Sequence, residues 1–126
     1  MQYALLIYQA EEVLDHLSSS DQKDVLTGHG QLQEKAKAER AFVMANELML
    51  SSTATTVRER TGKTLVLDGP FAETKEQLIG LYVLECQNLD EAIAYAKMIP
   101  NVKIGSIEIR PIAYFESQSH EGQSVE

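Results

Sequence analysis

The segment DGPFAETKEQL, residues 68–78, separates two apolar stretches and decides how the chain divides into strands. Residues 64–67 before it predict a short strand, and residues 78–84 after it form an almost unbroken apolar run. Such a run is typical of a strand that is buried on both faces. Within the segment, Asp followed by Gly and Pro favours a tight turn, because Gly accepts a positive φ. We therefore expect a turn between two strands here, with Phe71 anchoring it to the core.

The other elements follow from apolar spacing and from capping residues on both sides of this turn. In the first long helix, any of three serines at 18–20 can act as the cap, and Ser19 with Gln22 fits a capping box. Asn88 with Glu91 marks a second helix start. In chain order we predict a strand (3–8), a helix (21–40), a strand (41–44), a hairpin (55–58 and 63–67), a strand (78–86), a helix (88–99) and a strand (104–112).

This order of elements predicts an α+β fold, ferredoxin-like βαββαβ with an inserted β-hairpin. In that arrangement both helices cover one face of an antiparallel sheet, and the other face needs a partner. We expect one domain over residues 1–114. Residues 115–126 are polar and contain too little apolar surface to order themselves, so we predict a disordered tail there.

Composition excludes several classes of function. The net charge is −8, and the basic residues are scattered, whereas nucleic-acid binding needs clustered Lys and Arg, so we expect no nucleic-acid partner. No apolar run approaches the roughly 18 residues of a membrane span, and no signal-like segment opens the chain, so we expect a cytoplasmic protein without membrane contact. Cys86 ends an apolar strand, which predicts a buried thiol.

His29 is the most informatively placed histidine. The spacing of Val25, His29 and Leu32 matches the inward face of the first helix, and Gly28 and Gly30 flank the imidazole. Two glycines inside a helix each cost about 1 kcal/mol relative to Ala, which makes sense if a ligand or a close backbone excludes bulk there. Two interpretations stay open: a partly buried histidine that bonds backbone or Tyr hydroxyls, or a site residue.

The DGPF segment, together with the Thr-rich residues 53–58, resembles the DGPF branch of the YCII-related proteins over residues 1–112. The resemblance implies a homodimeric α+β barrel. In the shorter YCII branch a helix histidine pairs with an acidic residue near the end of the second helix, and His29 matches that histidine. Residues 97–101 offer no carboxylate here, so Asp68 is the candidate catalytic partner of His29. Its alternative role is the chemistry of the turn itself.

Four further residues are candidates for binding a ligand. Arg58 ends the family-like Thr-rich segment and has the geometry to hold an anion, although exposed strand arginines are more usual. Glu73 and Lys75 lie in the charged loop, which either lines a cleft or is solvated. Tyr82 lies within the long apolar strand.

No metal site or cofactor site is predicted. The histidines and Cys86 show no tight ligand spacing, and the sequence contains neither a Gly-rich phosphate loop nor a serine nucleophile elbow. We assign no role to His16 or His120.

Two functions from different classes are therefore compatible with the sequence. The first is a small homodimer that binds a polar or anionic small molecule in a cleft between the first helix and the sheet, with His29 as a candidate acid/base. The second, implied by the resemblance, is an accessory protein whose partner is linked to extracytoplasmic-function sigma factors. An acidic surface suits protein contact better than DNA contact.

Overall fold

The computed structural model describes residues 1–118 and divides them into six strands and three α-helices. In chain order these are β1 (Gln2–Gln9), α1 (Glu11–Asp15), α2 (Ser19–Ala38), β2 (Phe42–Glu47), β3 (Thr55–Arg60), β4 (Lys63–Asp68), β5 (Gln77–Glu85), α3 (Leu89–Met98) and β6 (Ser106–Pro111). Short 3₁₀ turns occupy Ser51–Thr53 and Pro100–Lys103.

Four strands form the main sheet in the order β2-β5-β1-β6, and all neighbours are antiparallel. This is the strand order of a ferredoxin-like domain, so the predicted fold class is confirmed. Strands β3 and β4 form a separate two-stranded sheet, which confirms the inserted hairpin. Its turn at Thr61 and Gly62 has positive φ at both residues, the conformation of a two-residue hairpin loop.

One face of the main sheet carries the core. Along β1 buried and half-buried residues alternate, as period-two strand geometry requires when helices cover one face. Helices α2 and α3 both pack on the buried face, which was the predicted arrangement. The buried apolar cluster consists of Tyr3, Leu5, Ile7, Leu32, Ala36, Ala41, Tyr82, Leu84, Cys86, Ala92, Tyr95, Ala96 and Ile99.

Local signals in the sequence explain most helix boundaries. Ser18 caps α2, because its Oγ accepts a hydrogen bond from the Asp21 backbone N–H at 3.0 Å, so the capping residue lies one position before Ser19. Asn88 caps α3 as predicted, accepting from the Glu91 backbone N–H at 3.0 Å. The short helix α1 lies between the predicted strand 3–8 and the predicted helix 21–40, where no element was predicted.

The DGPF turn is tied to strand β3 rather than to the core. Gly69 has a φ of 96°, and its backbone N–H donates to the Ala54 carbonyl at 2.7 Å. Thr56 Oγ1 donates to the Gly69 carbonyl at 2.8 Å. Phe71 is 75% exposed, so the expectation that it anchors the turn to the core is wrong.

Two expectations from composition can be compared with residues 1–118. No helix in this range combines the length and the apolar character that crossing a membrane would need. Cys86 is 2% exposed, which confirms the buried thiol. Residues 119–126 of the predicted tail, with His120, lie outside the described residues.

Candidate functional site

A cleft of about 440 Å³ lies between α2, the helix-covered face of the main sheet and the connection after β2. Its volume falls within the range of small-molecule sites. The walls are mostly apolar, and polar side chains gather around His29. The apolar lining consists of Ile7, Leu14, Val25, Leu26, Phe42, Ala45, Leu48, Met49, Leu50 and Ile79.

His29 points from α2 into this cleft, as the helical spacing predicted. Its Nδ1 lies 2.7 Å from the Tyr82 hydroxyl, and its Nε2 lies 2.7 Å from Asn101 Oδ1. The His29 and Tyr82 rings stack with centroids 5.8 Å apart and an interplanar angle of 17°. Both ring nitrogens therefore have uncharged partners, one from strand β5 and one from the 3₁₀ turn Pro100–Lys103.

A second amide continues the network behind Asn101. Asn101 Nδ2 donates to Gln9 Oε1 at 2.6 Å, and these two residues are 2% and 0% exposed. Gln9 Nε2 is a buried side-chain nitrogen without a hydrogen-bond partner within residues 1–118. The chain of contacts thus runs from Tyr82 through His29 and Asn101 to Gln9.

Close packing of α2 on the 3₁₀ turn Pro100–Lys103 places Asn101 opposite His29. A Cβ added at Gly28 would lie 2.3 Å from Pro100 Cγ, so only glycine permits this approach. A Cβ at Gly30 would have no atom within 4 Å. The close approach of Pro100, rather than a ligand, therefore explains Gly28, and nothing in the structure explains Gly30.

The wall opposite α2 is fixed by a carboxylate clasp. Glu11 accepts hydrogen bonds from the Ser51 backbone N–H at 2.7 Å and from Ser51 Oγ at 2.8 Å. This clasp joins α1 to the 3₁₀ turn Ser51–Thr53. At the other end of the connection, the Leu48 backbone N–H donates to the Ile79 carbonyl at 2.9 Å. The connection after β2 is therefore held at both ends while its apolar side chains line the cleft.

Tyr82 is a protonated hydroxyl at the base of the cleft. It is 3% exposed, and burial raises the pKa of its phenol, while the neighbouring Gln33 side chain opposes that rise. Since burial disfavours the phenolate, Tyr82 keeps its proton and remains able to donate it.

No lysine or arginine of residues 1–118 lines this cleft, whereas the carboxylates of Glu11 and Glu47 do. The polar groups near His29 are amides and a hydroxyl. The electrostatic character of the cleft is therefore neutral to negative.

The structure brings together two of the six predicted site residues, His29 and Tyr82. Asp68 ends β4 in the hairpin and does not reach His29, whose ring nitrogens bond other groups. Arg58 donates to the Phe71 carbonyl at 2.8 Å and so supports the DGPF turn. Glu73 and Lys75 are exposed loop residues outside the cleft of the protomer.

Sequence reasoning missed Asn101, Gln9 and Glu11. Residues 97–101 were considered only as a source of a carboxylate, and an amide occupies the position that contacts His29. Gln9 is a polar residue on the buried side of β1, and that alternation was the one available signal. Within residues 1–118, no group of three or more His, Cys, Asp or Glu side chains is placed to hold a metal ion.

Comparison with known proteins gives two matches. A family model described as the YCII-related domain matches residues 1–116. An uncharacterised protein of Rhizobium meliloti (strain 1021) is 37% identical over 118 residues, which cover 92% of this chain and 95% of the relative. The residues that the family model matches include every residue of the cleft described above.

Proposed function

This chain belongs to the YCII-related family, and we propose that it binds a small molecule in the cleft beside α2, with His29 as the acid/base group. The observation that carries the proposal is the mostly apolar cleft of about 440 Å³ into which His29 and Tyr82 both face; their 2.7 Å contact alone would fit a packing role equally well. The cleft of about 440 Å³ gives a small molecule room to lie beside both groups.

The arrangement suits proton transfer. An imidazole exchanges protons near neutral pH, and a general base must lie within hydrogen-bond reach of the proton that it takes. Tyr82 and His29 lie within that reach of each other and both line the cleft. A bound molecule with an acidic proton or a basic atom near Tyr82 would therefore meet a donor and an acceptor at once.

The charge of the residues that line the cleft changes the class of ligand that we expect. A polar or anionic molecule was expected, with Arg58 as the residue that would hold an anion, and Arg58 does not line the cleft of the protomer. Moving an anion from water into a site with carboxylates and no cation is unfavourable. We therefore favour an uncharged ligand with an apolar body and one hydrogen-bonding end.

Three isosteric probes test this proposal: benzoate, benzamide and benzamidine carry charges of about −1, 0 and +1 at pH 7. Calorimetric titration should show benzamide binding at least about tenfold more tightly than benzoate, which corresponds to about 1.4 kcal/mol. The matched control is Ala45→Phe, which fills the cleft from the half-buried β2 position. Equal binding to this variant would contradict the location of the site, and tightest binding by either charged probe, benzoate or benzamidine, would contradict the uncharged class.

We also propose that the protein is a homodimer, a state that the resemblance implies. The support is the β3–β4 hairpin, whose Val57 and Val66 are each 66% exposed. A two-stranded hairpin is at best marginally stable alone in water, so a second copy that covers it would stabilise it. The face of the main sheet that lies away from the helices is less suitable for testing the dimer. Val83 on that face is already only 5% exposed in one protomer, so a charged residue there would damage the fold itself.

The regulatory alternative, a protein partner linked to extracytoplasmic-function sigma factors, competes for the same exposed hairpin. If the hairpin contacts a different protein instead of a second copy, substitutions there leave self-association unchanged. That result would show that a homodimer does not form through the hairpin, and it would leave the hairpin available to a different protein.

A further inference from the structure

We infer that Asn101 and Gln9 are positioning residues that hold His29 with its proton on Nε2 and direct Nδ1 to Tyr82. This inference rests on the proposed acid/base function of the cleft and defines which ring nitrogen acts as the base. It is carried by two short contacts, from His29 Nε2 to Asn101 Oδ1 at 2.7 Å and from Asn101 Nδ2 to Gln9 Oε1 at 2.6 Å.

The partner of Nε2 shows which ring nitrogen carries the proton. An amide oxygen only accepts hydrogen bonds, so a ring nitrogen at 2.7 Å from Asn101 Oδ1 has to carry the proton. In neutral imidazole the other nitrogen is then an acceptor. That nitrogen, Nδ1, lies 2.7 Å from the hydroxyl of Tyr82, which is the donor.

Gln9 sets the orientation of the Asn101 amide. Its NH₂ group donates to Gln9 Oε1, and this bond turns Oδ1 toward His29. Gln9 and Asn101 are almost fully buried, so water does not compete for these bonds. Rotating the Asn101 amide by half a turn would break the bond to Gln9 Oε1 unless the Gln9 amide rotated with it.

The orientation of the Asn101 amide decides whether His29 can accept a proton without rotation of its ring. A ligand proton can move to Tyr82 Oη while the Tyr82 proton moves to His29 Nδ1, which leaves a deprotonated ligand and an imidazolium. The imidazolium donates from both nitrogens, to Asn101 Oδ1 and to Tyr82 Oη, without ring rotation. With Asn101 Nδ2 facing the ring instead, two donors would oppose each other, and this protonation would be blocked.

The experiment is ¹⁵N NMR of the His29 ring in the uniformly labelled full chain without ligand. In the wild type the neutral ring should carry its proton on Nε2. Asn101→Asp retains an acceptor and should retain this tautomer. Asn101→Ala removes the acceptor and should give a mixture of the two tautomers.

Gln9 has its own pair of variants. Gln9→Glu keeps an oxygen acceptor for Asn101 Nδ2 and should preserve the Nε2 proton. Gln9→Met removes that acceptor at similar volume and should weaken the preference for one tautomer. Circular dichroism shows which variants fold, and the wild type together with Asn101→Asp decides the question if the others do not.

A wild-type proton on Nδ1 would overturn the inference, and so would an unmixed Nε2 tautomer in folded Asn101→Ala. Either result leaves the proposed function standing if benzamide still binds the wild type and not Ala45→Phe. Conversely, the predicted tautomers without any ligand binding would support the positioning role and contradict the proposed function.

Discussion

At the residue scale, Arg40 shows how the chain ends a helix without glycine. Arg40 follows α2 with a φ of 59°, in the left-handed region that side chains with a Cβ rarely adopt. The next residue, Ala41, donates its backbone N–H to the Ala36 carbonyl at 2.7 Å, which closes the helix end. The left-handed conformation of Arg40 therefore costs stability, and a suitable substitution at this position should recover it.

Replacing Arg40 by glycine should stabilise the protein by about 1 kcal/mol, because glycine adopts this conformation without a Cβ clash. Arg40→Ala is the matched control, since it removes the charged side chain and keeps the Cβ. Urea unfolding of both variants measures the difference. A gain in the alanine variant as large as in the glycine variant would contradict the conformational explanation.

Gly28 and Gly30 form a second matched pair within α2. Gly28→Ala should destabilise by about 1–3 kcal/mol, because the new Cβ overpacks against Pro100. Gly30→Ala should stabilise by about 0.5–1 kcal/mol through helix propensity, since its Cβ meets open space. Thermal unfolding compares the two, and equal effects of the same sign would refute the packing role of Gly28.

Tyr95 contributes to the loss of folding stability at alkaline pH. Its pKa is raised because burial opposes the phenolate and because Glu39 accepts its hydrogen bond and adds negative charge. An unfolded tyrosine loses its proton at about pH 10. The unfolded state therefore releases this proton first, and the contribution of Tyr95 to stability, which is complete below about pH 10, falls as pH rises above that value.

Tyr95→Phe should make this alkaline loss shallower, because the substituted ring has no proton to lose. It should not abolish the loss, because the pKa values of Tyr8 and Tyr82 are also raised. Urea unfolding at a series of pH values above about 9 measures the slope. An unchanged slope in the variant would show that Tyr95 does not contribute to this loss.

At the element scale, the sequence predicted strands and helices well because their signals are local. The apolar run of β5, the hairpin loop at Thr61 and Gly62 and the Asn88 cap each depend on a few neighbouring residues. Helix α1 was missed because its stability depends on the Glu11 clasp to Ser51, a contact between distant parts of the chain.

The β3–β4 hairpin is the element that the rest of the protomer covers least. Val66→Lys should weaken self-association by on the order of tenfold or more, because it replaces an apolar side chain that a second copy would bury. Gln31→Lys introduces the same charge on the exposed side of α2 and should have no effect. Sedimentation equilibrium measures both, and an intact dimer of Val66→Lys would contradict a hairpin interface.

At the scale of the whole molecule, the candidate site shows where sequence reasoning ends. The inward direction of His29 was predictable from helical spacing, whereas its partners Tyr82 and Asn101 are distant along the chain and come together only through packing. The charged loop around Glu73 attracted a site prediction because its composition is unusual. The fold instead uses the DGPF turn and Arg58 to support the hairpin.

The most direct test of the central claim, that His29 serves a ligand cleft, is an NMR titration of its ring protons against a pool of cellular metabolites. His16→Gln and His120→Gln variants assign the resonances, and Ala45→Phe supplies the blocked cleft. We predict a saturable shift of the His29 resonances in the wild type and none in Ala45→Phe. A His29 that does not respond, or that responds equally in both proteins, would show that it is a core residue.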